Sequence, residues 1–271
     1  MELGQRNTVV TGAANGIGAA LARRFHEGGA RVVLADRDAT NLSALASELN
    51  TIRPDSAHAV VADMGSEQGN IDLIREARAK FGFIDLFFAN AGVAVGTDLE
   101  STDEATWSTA MNINLHAHRW AAKHLLGEWL AAGHGYFCST ASAAGLLSQI
   151  GSATYSVSKH AAVAFAEYLS ITYGDRGIKV TCLCPQGVNT NMLNPPGTAD
   201  GVAKRGGDVV KASGAVLEPS QVADAVYATI LDERFLVMPH PEVHTYEMRK
   251  VEDRDRWLAG MRRLQARIIG G

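Results

Sequence analysis

Tyr155 and Lys159 stand four residues apart in Tyr155-Ser-Val-Ser-Lys159, so on a helix their side chains share a face one turn apart. A free phenol is a weak base near neutrality, with an ordinary pKa of about 10. An ammonium beside it favours the phenolate and brings that pKa toward the working range, as a proton-transfer group requires. Ser142 lies thirteen positions upstream of Tyr155, just after the apolar run Gly135 to Ala141. A serine closing a strand and a tyrosine opening the next helix can both hydrogen-bond one substrate oxygen. Taken alone, Tyr-x-x-x-Lys has a plainer reading: a solvated lysine beside a half-buried tyrosine. The rest of the chain decides between the two.

The elements that would position this trio read off in order. Thr8 to Thr11 is short, apolar and β-branched, as a buried parallel strand should be. It enters Gly12-Ala-Ala-Asn15-Gly16-Ile17-Gly18 and then a helical stretch from Ala19 to Gly28. Glycines there let the backbone approach a diphosphate, and the helix N-terminus offers free N–H groups. The spacing departs from Gly-x-Gly-x-x-Gly, so by itself it is also compatible with a structural turn. The next strand, Arg31 to Asp36, ends on an acid eighteen residues past Gly18. A carboxylate there accepts from ribose hydroxyls and repels a 2′-phosphate, which favours NAD over NADP. Arg37 pulls the other way, because a guanidinium binds that phosphate.

A helix over Leu42 to Leu49, a strand over Ala57 to Ala62 closed by Asp63, a helix from Ser66 to Phe81 and a strand over Phe83 to Phe88 follow. Asp63 also reads as a cap for the helix after it. Asn90-Ala91-Gly92 then leaves room for a cofactor across a strand end. Thr102 to Leu130 is a long helical stretch in which Asn112 and Asn114 are out of place, so Asn114 either bends the helix or holds a water. After the Ser142 strand comes the Tyr155 helix, ending at Gly174, and a strand over Ile178 to Cys184 stopped by Pro185. Residues 186–216 read as an irregular substrate loop, with Pro195-Pro196-Gly197 inside it. A helix from Pro219 to Asp232, a short strand over Phe235 to Met238 and a C-terminal extension over about 242–269 close the chain. That extension reads as one polar helix with Trp257, Leu258, Met261 and Leu264 on its apolar side. The alternation predicts one α/β domain over 1–271: a Rossmann-like doubly wound parallel sheet of about seven strands with helices on both faces. Ligands in such a sheet bind at the C-terminal strand ends, and Gly12, Asp36, Asp63, Asn90, Asn114, Ser142 and Tyr155 fall at or after those ends or in the helices that follow.

Composition excludes several classes. The 271 residues are 46% hydrophobic and 20% charged, with a net charge of −4 and no long charge runs, which argues against a nucleic-acid partner. No apolar stretch reaches membrane-spanning length and no leader is evident, so a cytoplasmic protein without membrane contact is expected. Cys138, Cys182 and Cys184 lie in apolar runs and read as free buried thiols in a reducing compartment. The spacing of His116, His118 and His124 lets two of them share a face, but no carboxylate or cysteine completes a ligand set, so no metal is expected.

Taken together, Thr11-Gly12-x-x-x-Gly16-Ile-Gly18, Asn90-Ala91-Gly92, Asn114, Ser142 and Tyr155-x-x-x-Lys159 resemble the short-chain dehydrogenase/reductase family across roughly Thr8 to Thr190. The resemblance implies a hydride transfer between NAD(H) and a secondary alcohol or ketone. Tyr155 would be the general base in oxidation and the acid in reduction. Lys159 would lower its pKa and bind the nicotinamide ribose, Ser142 would orient the substrate oxygen, and Asn114 would hold a water linking Lys159 to solvent. Cofactor contacts would come from Gly12, Asn15, Gly16, Ile17, Gly18, Asp36 and Arg37 at one end. Asp63 and Met64 would meet the adenine, Asn90, Ala91 and Gly92 the middle, and Pro185, Gly187, Val188 and Thr190 the nicotinamide side. Three departures from the family pattern are Ala89 before Asn90, Ala117 after Asn114, and Pro185-Gln186-Gly187.

Ser142, Ala144, Leu146, Gln149, Tyr155, Gln186 and Leu193 are the expected substrate contacts. They are mainly apolar or neutral, and no arginine or lysine neighbours the catalytic motif in sequence, so a fairly apolar alcohol or ketone is expected. The resemblance further implies a homotetramer or homodimer. The rival readings are an NADPH-dependent carbonyl reductase, a nucleotide-sugar epimerase or dehydratase with bound NAD, and a non-catalytic cofactor-binding scaffold.

Overall fold

A computed structural model describes residues 1–194, 207, 209–210 and 214–269. Six strands supply the body of the main sheet: β1 (Asn7–Thr11), β2 (Arg31–Asp36), β3 (Ala57–Val61), β4 (Leu86–Ala89), β5 (Gly135–Thr140) and β6 (Ile178–Leu183). A two-residue strand at Leu236–Val237 completes it in the order β3-β2-β1-β4-β5-β6 and then Leu236–Val237. Every pairing is parallel. The order reverses at β1, so the ends of β1 and β4 open a crevice between connections that leave on opposite faces.

Period-two alternation explains why the sheet is covered on both sides. Val10, Val32 and Leu34 face one core with Leu21 and Phe25 of α1 (Gly16–Glu27) and Leu42, Leu45 and Leu49 of α2 (Ala39–Ile52). Val222, Val226 and Ile230 of the helix Pro219–Leu231 join that layer. Val9, Val33 and Ala35 face the other core, with α3 (Glu67–Phe81), α5 (Ala117–Ala132) and α6 (Ala153–Tyr173). This is the doubly wound sheet the sequence predicts.

Most predicted boundaries shift by a few residues, and two differences matter. The stretch from Thr102 to Leu130 is not one helix: α4 (Glu104–Met111) passes through a wide π-turn, Asn112–His116, before α5. A π-turn loosens the ladder where it carries Asn114, which settles how a polar residue sits inside a helical stretch. The C-terminal extension is two helices, Pro241–Glu252 and Arg254–Ile269, broken at Asp253, whose carboxylate accepts the Arg256 N–H at 2.9 Å. An N-cap turn there outcompetes helix continuation. Pro195, Pro196 and Gly197 of the expected substrate loop lie outside the described residues. Among the described residues no helix is long and apolar enough to cross a membrane.

Candidate active site

One cleft of about 1560 Å³ runs across the C-terminal strand ends. The Gly12–Gly18 turn forms one end of it. Gly12 and Gly16 take left-handed backbone (φ +65° and +55°), and a Cβ on Gly12 would stand 2.9 Å from the Ala91 Cα. A Cβ on Gly18 would stand 2.0 Å from the Gly12 carbonyl oxygen, so this turn and α1 meet backbone to backbone. The first turn of α1 has no side-chain cap and no acidic residue, so its N–H groups are left for an anionic ligand. Asp36 borders the same end. Its Oδ2 accepts the Ala14 N–H and its Oδ1 the Asp38 N–H, both at 3.1 Å, which fixes the carboxylate at the tip of β2. Arg37 beside it is exposed. Asp63 does not cap α3; Ser66 does, and Asp63 Oδ1 accepts the Gly65 N–H at 2.9 Å instead.

The strand-end loops are tied together by polar side chains. Thr11 Oγ1 accepts the N–H groups of Asn90 and Ala91 at 2.9 and 3.0 Å. Asn90 spans β1 and β5, donating to the Thr11 carbonyl and accepting from the Thr140 hydroxyl, each at 3.0 Å. The missing asparagine at Ala89 therefore leaves the join between these strands intact.

Tyr155, Ser142 and Lys159 all line this cleft. Ser142 caps the short turn Ala143–Gly145, its Oγ accepting the Ala144 N–H at 3.1 Å. Lys159 is 2% exposed, and its ammonium donates to the Thr140 carbonyl at 2.8 Å. Burial lowers its pKa from 10.5 to about 8, with the Cys182 and Cys184 sulfurs working weakly the other way. The Lys159 Nζ lies 5.7 Å from the centre of the Tyr155 ring. Here the protein corrects the sequence expectation. The Tyr155 phenol is pushed above its ordinary pKa, by burial first, with the Ser142 hydroxyl beside it opposing this and the Cys184 thiol adding to the rise.

Asn114 is completely buried behind Gly92 rather than on the cleft surface. Its Oδ1 accepts the Val93 N–H at 2.9 Å, and its Nδ2 donates to the Val93 carbonyl at 2.9 Å and the Ser158 hydroxyl at 3.0 Å. The side chain thus clamps the Gly92 loop to α6, and a Cβ on Gly92 would come within 3.3 Å of both Asn114 Oδ1 and Lys159 Nζ.

Of the other predicted residues, Asn15, Ile17, Met64, Pro185, Val188, Thr190, Ala144, Gln149, Gln186 and Leu193 all border the cleft. Gly187 and Leu146 do not. Gly187 is buried, its carbonyl 2.9 Å from His240 Nε2, and Leu146 is half-buried and packs against the core. Leu147 and Ile150 take the place expected for Leu146. His118 is a buried packing residue, with Nδ1 2.9 Å from the Ser139 hydroxyl; burial first and Lys159 second lower its pKa to about 3. His124 pairs with Glu67 at 2.9 Å. The three cysteines are free and buried.

The missed contributors are on the C-terminal helices, where Tyr246, Arg249, Arg256, Trp257, Met261 and Leu264 reach the cleft. The apolar side read from the sequence was the available signal. It is confirmed for Trp257, Met261 and Leu264 and corrected for Leu258, which is 41% exposed.

Comparison with known proteins agrees with this geometry. The short chain dehydrogenase family model matches residues 6–201. Estradiol 17-beta-dehydrogenase 11 of Macaca fascicularis is 30% identical over 242 residues, covering 85% of this chain and 80% of that protein. The 1-deoxy-11-beta-hydroxypentalenate dehydrogenase of Streptomyces avermitilis is 32% identical over 249 residues, covering 90% and 88%. Among solved structures, a short-chain dehydrogenase/reductase from Burkholderia phymatum in complex with NAD superposes with a TM-score of 0.85 at 25% identity, covering 94% of this chain and 96% of that one. The sheet order, the turn into α1 and the match over residues 6–201 place the chain in the short-chain dehydrogenase/reductase family.

Proposed function

We propose that this oxidoreductase moves a hydride between NAD(H) and a fairly apolar secondary alcohol or its ketone. The observation that carries the reading is the convergence of Tyr155, Ser142 and Lys159 on a cleft whose other end is the glycine turn. The uncapped α1 N-terminus, the glycine contacts and the fixed Asp36 carboxylate suit a nicotinamide dinucleotide. That group, when bound, supplies the hydride chemistry. In oxidation Tyr155 takes the carbinol proton, and in reduction its phenol gives one back. Ser142 orients the same oxygen. Lys159 supports the phenolate with its charge, and Asn114 clamps the Gly92 loop beside it to α6. By their names, the relatives above act on estradiol and a hydroxypentalenate; Leu147, Ile150, Leu193, Trp257, Met261 and Leu264 give this cleft an apolar side suited to such a body. Turnover of secondary alcohols, abolished in Tyr155→Phe, tests the reading against a non-catalytic scaffold. Free NADH appearing as product excludes an epimerase or dehydratase.

Asp36 argues for NAD. A 2′-phosphate placed at its carboxylate would meet a like charge held by two backbone N–H groups. Asp36→Ser is expected to lower the NAD-to-NADP ratio of kcat/KM by at least about tenfold, a change of ~1.4 kcal/mol. A wild-type preference for NADPH would overturn the NAD assignment and favour a carbonyl reductase in which Arg37 dominates.

The proposal extends to assembly and place. On α6, Val157, Tyr168 and Ile171 are 47%, 55% and 84% exposed, with Ala161 and Ala164 between them on the same face. A second copy covering this stripe gives a homo-oligomer, a dimer or a tetramer. Light scattering at micromolar concentration should report more than one subunit, and a monomer would contradict it. Three free thiols suit a reducing cytoplasm.

A further inference from the structure

No arginine or lysine flanks Tyr155 in sequence, yet the fold brings three guanidiniums to the cleft's rim. Arg249 sits near the end of the helix Pro241–Glu252, and Arg256 and Arg263 sit on Arg254–Ile269. All three border the same cleft as Tyr155. Trp257, Met261 and Leu264, spaced four and three residues apart, share one face of the terminal helix and form the apolar wall beneath them.

Among the described residues none of these guanidiniums lies in an ion pair, although Arg6, Arg23, Arg24 and Arg78 are each matched with a carboxylate. The Arg249 guanidinium lies 5.9 Å from the centre of the Tyr246 ring. Two acids, Glu252 and Asp253, also border the cleft, and Asp253 is committed to capping Arg256. The rim therefore carries a surplus of cationic donors.

The helix that precedes this wall and carries Arg249 is held in place. Lys250 is 9% exposed and donates to the Leu146 carbonyl and, at 3.1 Å, to the Leu147 carbonyl. It also reaches His160 Nε2 at 3.4 Å. The Nδ1 of that ring lies 2.8 Å from the Ser156 carbonyl, so Nδ1 bears the proton and Nε2 offers its lone pair. One buried ammonium thus ties the helix Pro241–Glu252 to the loop after Ser142 and to α6, and it lies 5.3 Å from the Trp257 ring of the terminal helix. A wall anchored in this way can select substrates, because it does not drift from the catalytic oxygen site.

We propose that the cleft takes a secondary alcohol with an apolar body and a carboxylate at the end remote from the carbinol, and that Arg249, Arg256 and Arg263 gather that carboxylate. Guanidinium donors suit a carboxylate's two oxygens, and the apolar wall lines the same cleft as Tyr155. This inference rests on the dehydrogenase reading above.

The test uses the full chain with a hydroxydecalin carboxylate and its methyl ester, which share one apolar frame and differ in charge. The acid is expected to exceed the ester in kcat/KM by about tenfold at low salt, the sum of several exposed charge pairs worth a few-fold each. Raising the salt to about 0.5 M should shrink that ratio. In the triple variant Arg249→Gln, Arg256→Gln, Arg263→Gln the ratio should fall to about one, and in Arg256→Glu it should fall below the wild-type value. Equal turnover of acid and ester by the wild type, or an advantage that survives the triple substitution, overturns this inference alone. Turnover of neither probe with NAD or NADP overturns the dehydrogenase reading and this inference with it.

Discussion

Tyr155→Phe is expected to lower kcat by about a thousandfold while NADH binding stays within a factor of about two. A positioned proton-transfer group typically supplies ~10²–10⁴ in rate, and the substitution removes only the oxygen that carries the proton. The ring stays, so the walls of the cleft are kept. Ser142 still has the Ala144 N–H and the Pro185 carbonyl as neighbours, so no buried hydroxyl is orphaned. The pH profile adds a second readout. Burial holds the phenol above its ordinary pKa, so the phenolate fraction grows as pH climbs through the alkaline range. Alcohol oxidation by the wild type should therefore accelerate with pH, whereas ketone reduction, which needs the phenol, should not. The residual rate of Tyr155→Phe should lose that rise. Steady-state kinetics from about pH 6 to 10, with NADH fluorescence titration, decides the matter; unchanged kcat would remove Tyr155 from the chemistry.

The sheet was legible because its signals are local. Val9 and Val10 alternate between two cores, and Gly12, Asp36, Asn90 and Ser142 each mark a strand's C-terminal end, where a doubly wound sheet concentrates its site. Tyr155 and Lys159 were legible because helical spacing fixes a shared face. What failed depends on contacts distant in sequence. Lys250 meets Leu146 across more than a hundred residues, and no periodicity in either segment announces it. The arginines escaped notice for the same reason: proximity to Tyr155 was judged along the chain, whereas the Asp253 turn folds the tail back over the cleft. The sign of the Tyr155 pKa shift failed for another reason. Spacing reveals a neighbouring charge, but desolvation depends on how deeply the fold encloses the phenol.

Lys159 carries the same enclosure in measurable form, and Lys159→Met is expected to make the protein more stable and nearly inactive. An ammonium 2% exposed pays for its desolvation in a pKa lowered from 10.5 to about 8. The unfolded chain keeps its proton up to the ordinary lysine value. Below about pH 8 both states are charged and the whole penalty, ~3 kcal/mol, weighs against the fold. Between about 8 and 10.5 the folded state sheds its proton first, so this contribution makes stability rise with pH. Methionine fills a similar volume without the charge, at the cost of the charged bond to the Thr140 carbonyl, about 2 kcal/mol. The net gain at pH 7 is then ~1 kcal/mol, which corresponds to a few degrees in Tm. Urea unfolding at pH 7 and at pH 10 reads both parts: the variant's advantage should be plain at the lower pH and largely gone at the higher. A variant less stable than wild type at pH 7, or an advantage independent of pH, would show that the buried ammonium imposes no such penalty. With kcat falling while stability rises, Lys159 would be a group kept at the expense of the fold for the sake of Tyr155.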